Sequence, residues 1–89
     1  MLNESITVQN KLGLHTRAAA KLVAIATQFE SKIQLQHNER LADCKSIMAL
    51  ILLGVTKGTN MSLLITGADE LEARDAIIKL FDNRFGEVE

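Results

Sequence analysis

The sequence predicts an α+β fold: a two-layer open-faced sandwich whose four-stranded, mainly antiparallel sheet carries three helices on one face, in the order β-α-β-β-α-β-α. Three observations point to it. Short segments of polar/apolar alternation are interleaved with segments whose apolar residues recur every three or four positions. Capping and turn residues stand at the joins. The 89 residues, 47% hydrophobic and 24% charged, suffice for one modest core, so 1–89 reads as a single domain.

Ser5-Ile6-Thr7-Val8-Gln9 alternates with β-branched residues, the pattern of a half-buried strand, and Asn10-Lys11-Leu12-Gly13 ends it. From Thr16 to about Phe29, the spacing of Ala19, Leu22, Val23, Ala26 and Phe29 predicts a helix with one buried face, leaving Lys21 and Gln28 outside. Lys32 to Gln36 alternates again, Asn38 supplies a turn, and Arg40 to Cys44 pairs back as a hairpin. The apolar run Ile47 to Leu53 fits a buried strand or a short helix; its ends favour the helix, with Ser46 as N-cap and Gly54 as C-cap. A helix apolar all round in so small a domain leaves some of Ile47, Met48 and Ile51 exposed as a docking patch, unless all seven residues pack inside. Met61 to Thr66 is a strand with Met61, Leu63 and Ile65 toward the core. Asp69 with Glu72 resembles a capping box, and Ala73, Ile77, Leu80 and Phe81 form the stripe of a last helix. Glu70 with Arg74 and Asp75 with Lys79 are spaced as i,i+4 ion pairs on its solvated face.

Several function classes are disfavoured by composition. No apolar run approaches the ~20 residues of a membrane span, and the N-terminus lacks the basic and apolar regions of a secretory signal. A lone Cys44 argues against a disulfide-stapled secreted domain, so a cytoplasmic protein is expected. Three Phe with no Trp or Tyr offer no stacking platform for nucleic acid, and two histidines with one cysteine make no metal-ligand set. Net charge is −1, yet residues 1–60 carry seven Lys/Arg against four Asp/Glu, while residues 61–89 carry three against seven. The basic half suits a phosphate or an acidic partner.

That half contains Gly13-Leu14-His15-Thr16-Arg17, an imidazole and a guanidinium two residues apart where a loop becomes a helix. Thr16 is the expected N-cap, and Ala18 to Leu22 is strong helix former. Unpaired N–H groups and aligned peptide dipoles favour an anion there, and Arg17 adds a fork suited to phosphate oxygens. The same field disfavours imidazolium, so His15 is expected neutral and nucleophilic. The alternative is a polar loop histidine beside a solvated arginine.

Two stretches taken together carry a family resemblance. Asn10 to Arg17 and Lys45-Ser46-Ile47-Met48-Ala49-Leu50, with Gly67-Ala68-Asp69-Glu70 before the last helix, resemble the signatures of the HPr family, the histidine-containing phosphocarriers of the bacterial phosphotransferase system. The resemblance implies that His15 takes a phosphoryl group through Nδ1 from phosphorylated Enzyme I, which obtains it from phosphoenolpyruvate, and passes it to a downstream Enzyme IIA-type acceptor. It implies that Arg17 steadies the phosphohistidine beside the backbone of Thr16 and Ala18, and that Ala20, Ile47, Met48 and Ile51 dock partners. It makes Ser46 a candidate regulatory phosphosite for an HPr kinase/phosphorylase. No metal or cofactor is implied, and the chain would be a monomeric carrier rather than a free-standing enzyme. The alternative within the family is a regulatory adaptor, of the carbon or nitrogen branch, that binds targets according to its phosphorylation state. One departure from the family pattern is Ala18, where proline is common; alanine keeps the first helical turn and restores an N–H.

Overall fold

The computed structural model describes all residues from Met1 to Glu89. In chain order it contains β1 (Leu2–Thr7), α1 (Thr16–Ala26), β2 (Lys32–His37), β3 (Arg40–Asp43), α2 (Ile47–Leu53), β4 (Asn60–Thr66) and α3 (Glu70–Asp82), followed by a 3-10 turn at Arg84–Gly86. The four strands form one sheet, ordered β1-β4-β2-β3, and every neighbouring pair is antiparallel. The expected element order and the two-layer α+β architecture are therefore present.

The register explains which side chains reach the core. Ile6 lies opposite Met61, and Ile33 and Leu35 lie opposite Ile65 and Leu63, so the helix-facing side of the central strands is continuous hydrocarbon. Leu22 and Ala26 of α1, Leu50 of α2, and Ala73, Ile77 and Phe81 of α3 close over it, all fully buried. Helix α1 packs against both α2 and α3, while α3 covers β1 and β4. Cys44 lies in this core, where burial, with the Asp43 charge adding, pushes its thiol up to about 12. It is a small core side chain and not a reactive thiol.

Strand β1 starts earlier than alternation suggests, because Glu4 occupies the face of Leu2 and Ile6 that turns toward the helices. A carboxylate there breaks the apolar pattern in the sequence, and Arg74 of α3 meets it at 3.5 Å. Helix α1 ends at Ala26, not near Phe29. Its last turns tighten, with Gln28 N–H donating to Ile25 and Phe29 N–H to Ala26, and the Thr27 hydroxyl donating to the Val23 carbonyl at 2.9 Å. The hairpin turns at Asn38, whose φ of 57° is left-handed, a conformation asparagine tolerates well.

Helix α2 has both of its expected caps. Ser46 Oγ accepts the Ala49 N–H at 3.2 Å, and Gly54 adopts the left-handed C-cap at φ 64°. Only Leu50 and Leu53 of this helix are buried; Met48 is 65% and Leu52 64% exposed, with Ile47 and Ile51 less so. The reading in which all seven residues pack inside is thus excluded.

Two details on α3 differ from expectation. The Asp69–Glu72 capping box does not form: Asp69 stands at the N-cap without a side-chain capping bond. Its carboxylate instead accepts from the Ser31 hydroxyl and from the N–H groups of Glu30 and Ser31, at 2.5, 2.8 and 3.0 Å. Gly67 permits this, since a Cβ there would overlap Ser31. The expected i,i+4 ion pairs are also absent. Glu70 pairs with the Met1 ammonium at 2.9 Å, and Arg74 reaches Glu4 at 3.5 Å and the adjacent Asp75 at 3.1 Å, so the i,i+4 partners are displaced by a distant residue in each case and by a chain neighbour in one.

Hydrogen bonding, the Ser31 hydroxyl foremost, holds the Asp69 carboxyl below its ordinary range. A depressed carboxylate contributes stability above its unfolded value of about 4 and loses it as pH falls through the folded value. Acidification from pH 7 to pH 3 should therefore lower the melting temperature of the wild type more than that of Asp69→Asn, as measured by circular dichroism. Equal decrements would remove Asp69 from the acid sensitivity.

Candidate functional site

The loop before α1 is shaped by one glycine and one buried amide. Gly13 has φ +70°, and a Cβ on it would lie 2.6 Å from the Val55 carbonyl oxygen, so only glycine lets this loop lie against the segment after α2. Leu14 is buried, and its N–H donates to the same Val55 carbonyl at 3.2 Å. Asn10 is fully buried and its Nδ2 donates to the Gly13 carbonyl at 2.7 Å, closing the loop from within. The next residue after this rigid turn is His15.

His15 itself, not Thr16, is the N-cap of α1. Its backbone is extended (φ −78°, ψ 179°), and its carbonyl accepts the first helical bond, from Ala19 N–H at 2.8 Å. Thr16 is already helical and exposed. Sequence preference favours threonine as a cap, but the loop geometry places the change of conformation one residue earlier. The His15 ring makes no capping bond, so the N–H groups of the first turn are left for another acceptor. The first turn thus contains Thr16 and Arg17 on the surface and Ala18 buried beneath, with Ala20 exposed on the next turn.

Arg17 lines an open cleft of about 520 Å³ together with Lys11, Leu12, Lys21 and residues 86–89. The chain's last residues are thereby brought beside the first helix. Arg84 and Phe85 both adopt left-handed φ near +53° and Gly86 follows at +77°, reversing the chain after α3. Phe85 is fully buried against Phe81, with ring centroids 4.8 Å apart. Lys21 Nζ donates to the Phe85 carbonyl at 2.6 Å, and Lys11 N–H donates to the Glu89 carbonyl at 2.5 Å. Between these two anchors Glu87 turns inward: its Oε1 accepts from Asn10 Nδ2 at 3.0 Å, and its Oε2 lies 2.5 Å from His15 Nε2. The Asn10 hydrogen bond, with His15 and the Arg17 charge adding, holds this carboxyl below the usual range.

Of the residues singled out from the sequence, His15, Thr16, Arg17, Ala18 and Ala20 lie together on α1. Ser46, Ile47, Met48 and Ile51 lie on the neighbouring α2, and the hydroxyl of Ser46 is occupied as a cap. Glu87, Asn10 and Lys21 were not foreseen at the site. No local signal marks Glu87, whose partner is 72 positions away. Asn10 reads as an ordinary turn residue until its burial is known, and Lys21 as a solvated helix lysine. No group of three or more His, Cys, Asp or Glu side chains is placed to hold a metal ion, and no helix is long and apolar enough to cross a membrane.

Known proteins resemble this chain throughout its length. Residues 2–83 match the family model described as the PTS HPr component phosphorylation site. The phosphocarrier protein HPr of Cupriavidus necator is 46% identical over 89 residues, covering the whole of both chains. The phosphocarrier protein NPr of Shewanella violacea is 40% identical, over 97% of this chain and 94% of that protein. In three dimensions, the crystal structure of HPr-C-His from Thermoanaerobacter tengcongensis superposes with a TM-score of 0.95 at 38% identity, covering 100% of both chains.

Proposed function

The chain belongs to the HPr family of phosphocarriers of the bacterial phosphotransferase system, and we propose that His15 is the residue on which it carries phosphate. The observation that supports this most directly is an imidazole, 27% exposed, at the N-cap of α1, leaving the first-turn N–H groups free and standing in the loop beside Arg17. Phosphorylated Enzyme I, charged from phosphoenolpyruvate, is the donor, and a downstream Enzyme IIA-type protein the acceptor. The Nδ1 lone pair attacks phosphorus, and the bond to the donor breaks with its electron pair leaving on the donor. The free N–H groups of the first turn and the Arg17 guanidinium then neutralise the phosphoryl oxygens. A phosphoramidate formed this way transfers onward readily, where a serine ester would be inert. The protein is a covalent intermediate in a relay and acts in the cytoplasm as a monomer that shows one small face to successive partners.

Ala18 suits the relay despite the proline common in the family. It lies in the first turn, where an N–H has no intrahelical acceptor, so its N–H is one more donor available to the phosphate. The partners dock on the exposed apolar residues of α2, Ile47, Met48 and Ile51, and on Ala20, exposed on the neighbouring α1. The adaptor reading uses the same patch, with phosphorylation of His15 as the signal. Incubation with Enzyme I and phosphoenolpyruvate should add one acid-labile phosphate per chain; no uptake would overturn the phosphocarrier reading.

Ser46 is a second modification site in this reading. A phosphate there sits at a helix N-cap, which tolerates the charge, while placing about −2 charge against the docking patch and repelling acidic partners. HPr kinase with ATP should raise the mass of the chain by one phosphate, lost in Ser46→Ala. An unchanged mass sinks the regulatory role.

A further inference from the structure

The tail after α3 is not a loose end. It is fixed by a buried phenylalanine, by Lys21 on the Phe85 carbonyl and by the Glu89 carbonyl on Lys11, and all three anchors set the position of one side chain, Glu87. Glu87 is only 13% exposed, and it makes the one hydrogen bond found on the His15 ring. Backbone strain marks the same segment. Two consecutive non-glycine residues, Arg84 and Phe85, are held left-handed, a strained conformation that persists only where the surroundings enforce it.

Chemistry assigns the direction of the Glu87–His15 bond. Asn10 Nδ2 faces two oxygens, the Gly13 carbonyl and Glu87 Oε1, so the amide must present its NH2 group to both. Glu87 receives that bond as a carboxylate, which has lone pairs and no proton to give. The hydrogen between Glu87 Oε2 and the imidazole therefore belongs to Nε2. With Nε2 protonated, the lone pair of a neutral imidazole is on Nδ1.

We propose that Glu87 is a positioning residue for the phosphocarrier histidine: held by Asn10, it selects the Nε2–H tautomer of His15, aims the ring, and balances the positive charge the ring acquires on phosphorylation. The inference rests on the assignment of His15 as carrier. When Nδ1 forms its bond to phosphorus and the donor departs with the electron pair, the Nε2 proton stays in place and the ring becomes cationic. The carboxylate 2.5 Å away then faces a full positive charge instead of a dipole. Such a carboxylate–histidine pair acts through the imidazole and never touches phosphorus, as in the hydrolase triads.

The test compares the full-length wild type with Glu87→Gln and Glu87→Ala, each 15N-labelled. Two-bond proton–nitrogen spectra of the histidine side chain at alkaline pH, with the ring neutral, report the tautomer directly in the unphosphorylated protein. Wild type should show the Nε2–H form alone. Glu87→Gln, whose amide oxygen can still accept, should keep that form, whereas Glu87→Ala should populate both. The rate of phosphate acceptance from phosphorylated Enzyme I should fall about tenfold in Glu87→Ala and by less in Glu87→Gln. Melting curves check that both variants remain folded. Tautomer signals that do not change in Glu87→Ala overturn the proposal, and so does an unchanged acceptance rate. Failure of the wild type to take phosphate at all would instead overturn the carrier assignment, and the tautomer spectra would still show whether Glu87 sets the ring.

Discussion

Replacing His15 with alanine should abolish acid-labile phosphate uptake from phosphorylated Enzyme I while leaving a folded protein. The two halves of this expectation have separate physical grounds. The loss is complete because no other imidazole stands at the α1 N-terminus: Thr16, the first helical residue, could form only an acid-stable ester, and the next histidine, His37, closes β2. The fold survives because the His15 ring makes no capping bond to α1 and the backbone there is extended, a conformation alanine adopts without strain. The ring's one partner, Glu87, retains Asn10. Radiolabelled transfer, or intact mass before and after acid treatment, measures the first half; thermal unfolding measures the second. A label that persists in the variant would move the carrier site elsewhere.

Phe81→Ala should be the most destabilising single truncation considered, at about 3–5 kcal/mol, a large part of the ~5–15 kcal/mol that holds a small domain folded. Phe81 is fully buried in the last turns of α3 and packs against Phe85 with the two rings tilted 59° to each other. Truncation leaves a cavity and removes the ring against which Phe85 packs, next to its left-handed backbone. The damage should therefore reach the site: the tail loosens and the Glu87 contact with His15 is lost before the sheet melts. Urea unfolding measures the stability, and the histidine nitrogen spectra measure the contact. A loss below about 1 kcal/mol would show that the core closes over the gap.

The contrast between these two residues also shows how far local sequence reaches. Phe81 is legible because it lies at helical spacing from Ala73 and Ile77, and that stripe needs no knowledge of its partner. His15 and Arg17 are legible because Gly13 and the alanines after them mark a loop meeting a helix. Ser46 and Gly54 are legible for the same reason, each being required by one helix end. Where a side chain had a choice of partners, local rules chose wrongly. Asp69 forsook its own helix for two N–H groups and a hydroxyl at Glu30 and Ser31, and Arg74 turned from Glu70 to Glu4. A short helical pair contributes only a few tenths of a kcal/mol, so any better-placed partner displaces it.

Periodicity, capping chemistry and the spacing of two short signatures were enough to establish the element order and the family and to single out His15 as the candidate carrier, because each depends on residues within a few positions of one another. The cap at His15 instead of Thr16 and the Glu87 carboxylate on the imidazole came only with the folded chain, which also decided that the α2 patch, one of two readings open in the sequence, stays exposed. Glu87 reaches His15 across 72 positions, on a tail whose direction is set by Phe85 packing into a core built from every other element. A contact of that kind has no local energy to leave a trace in the sequence, and it exists only once the sheet and three helices have brought the two ends of the chain together.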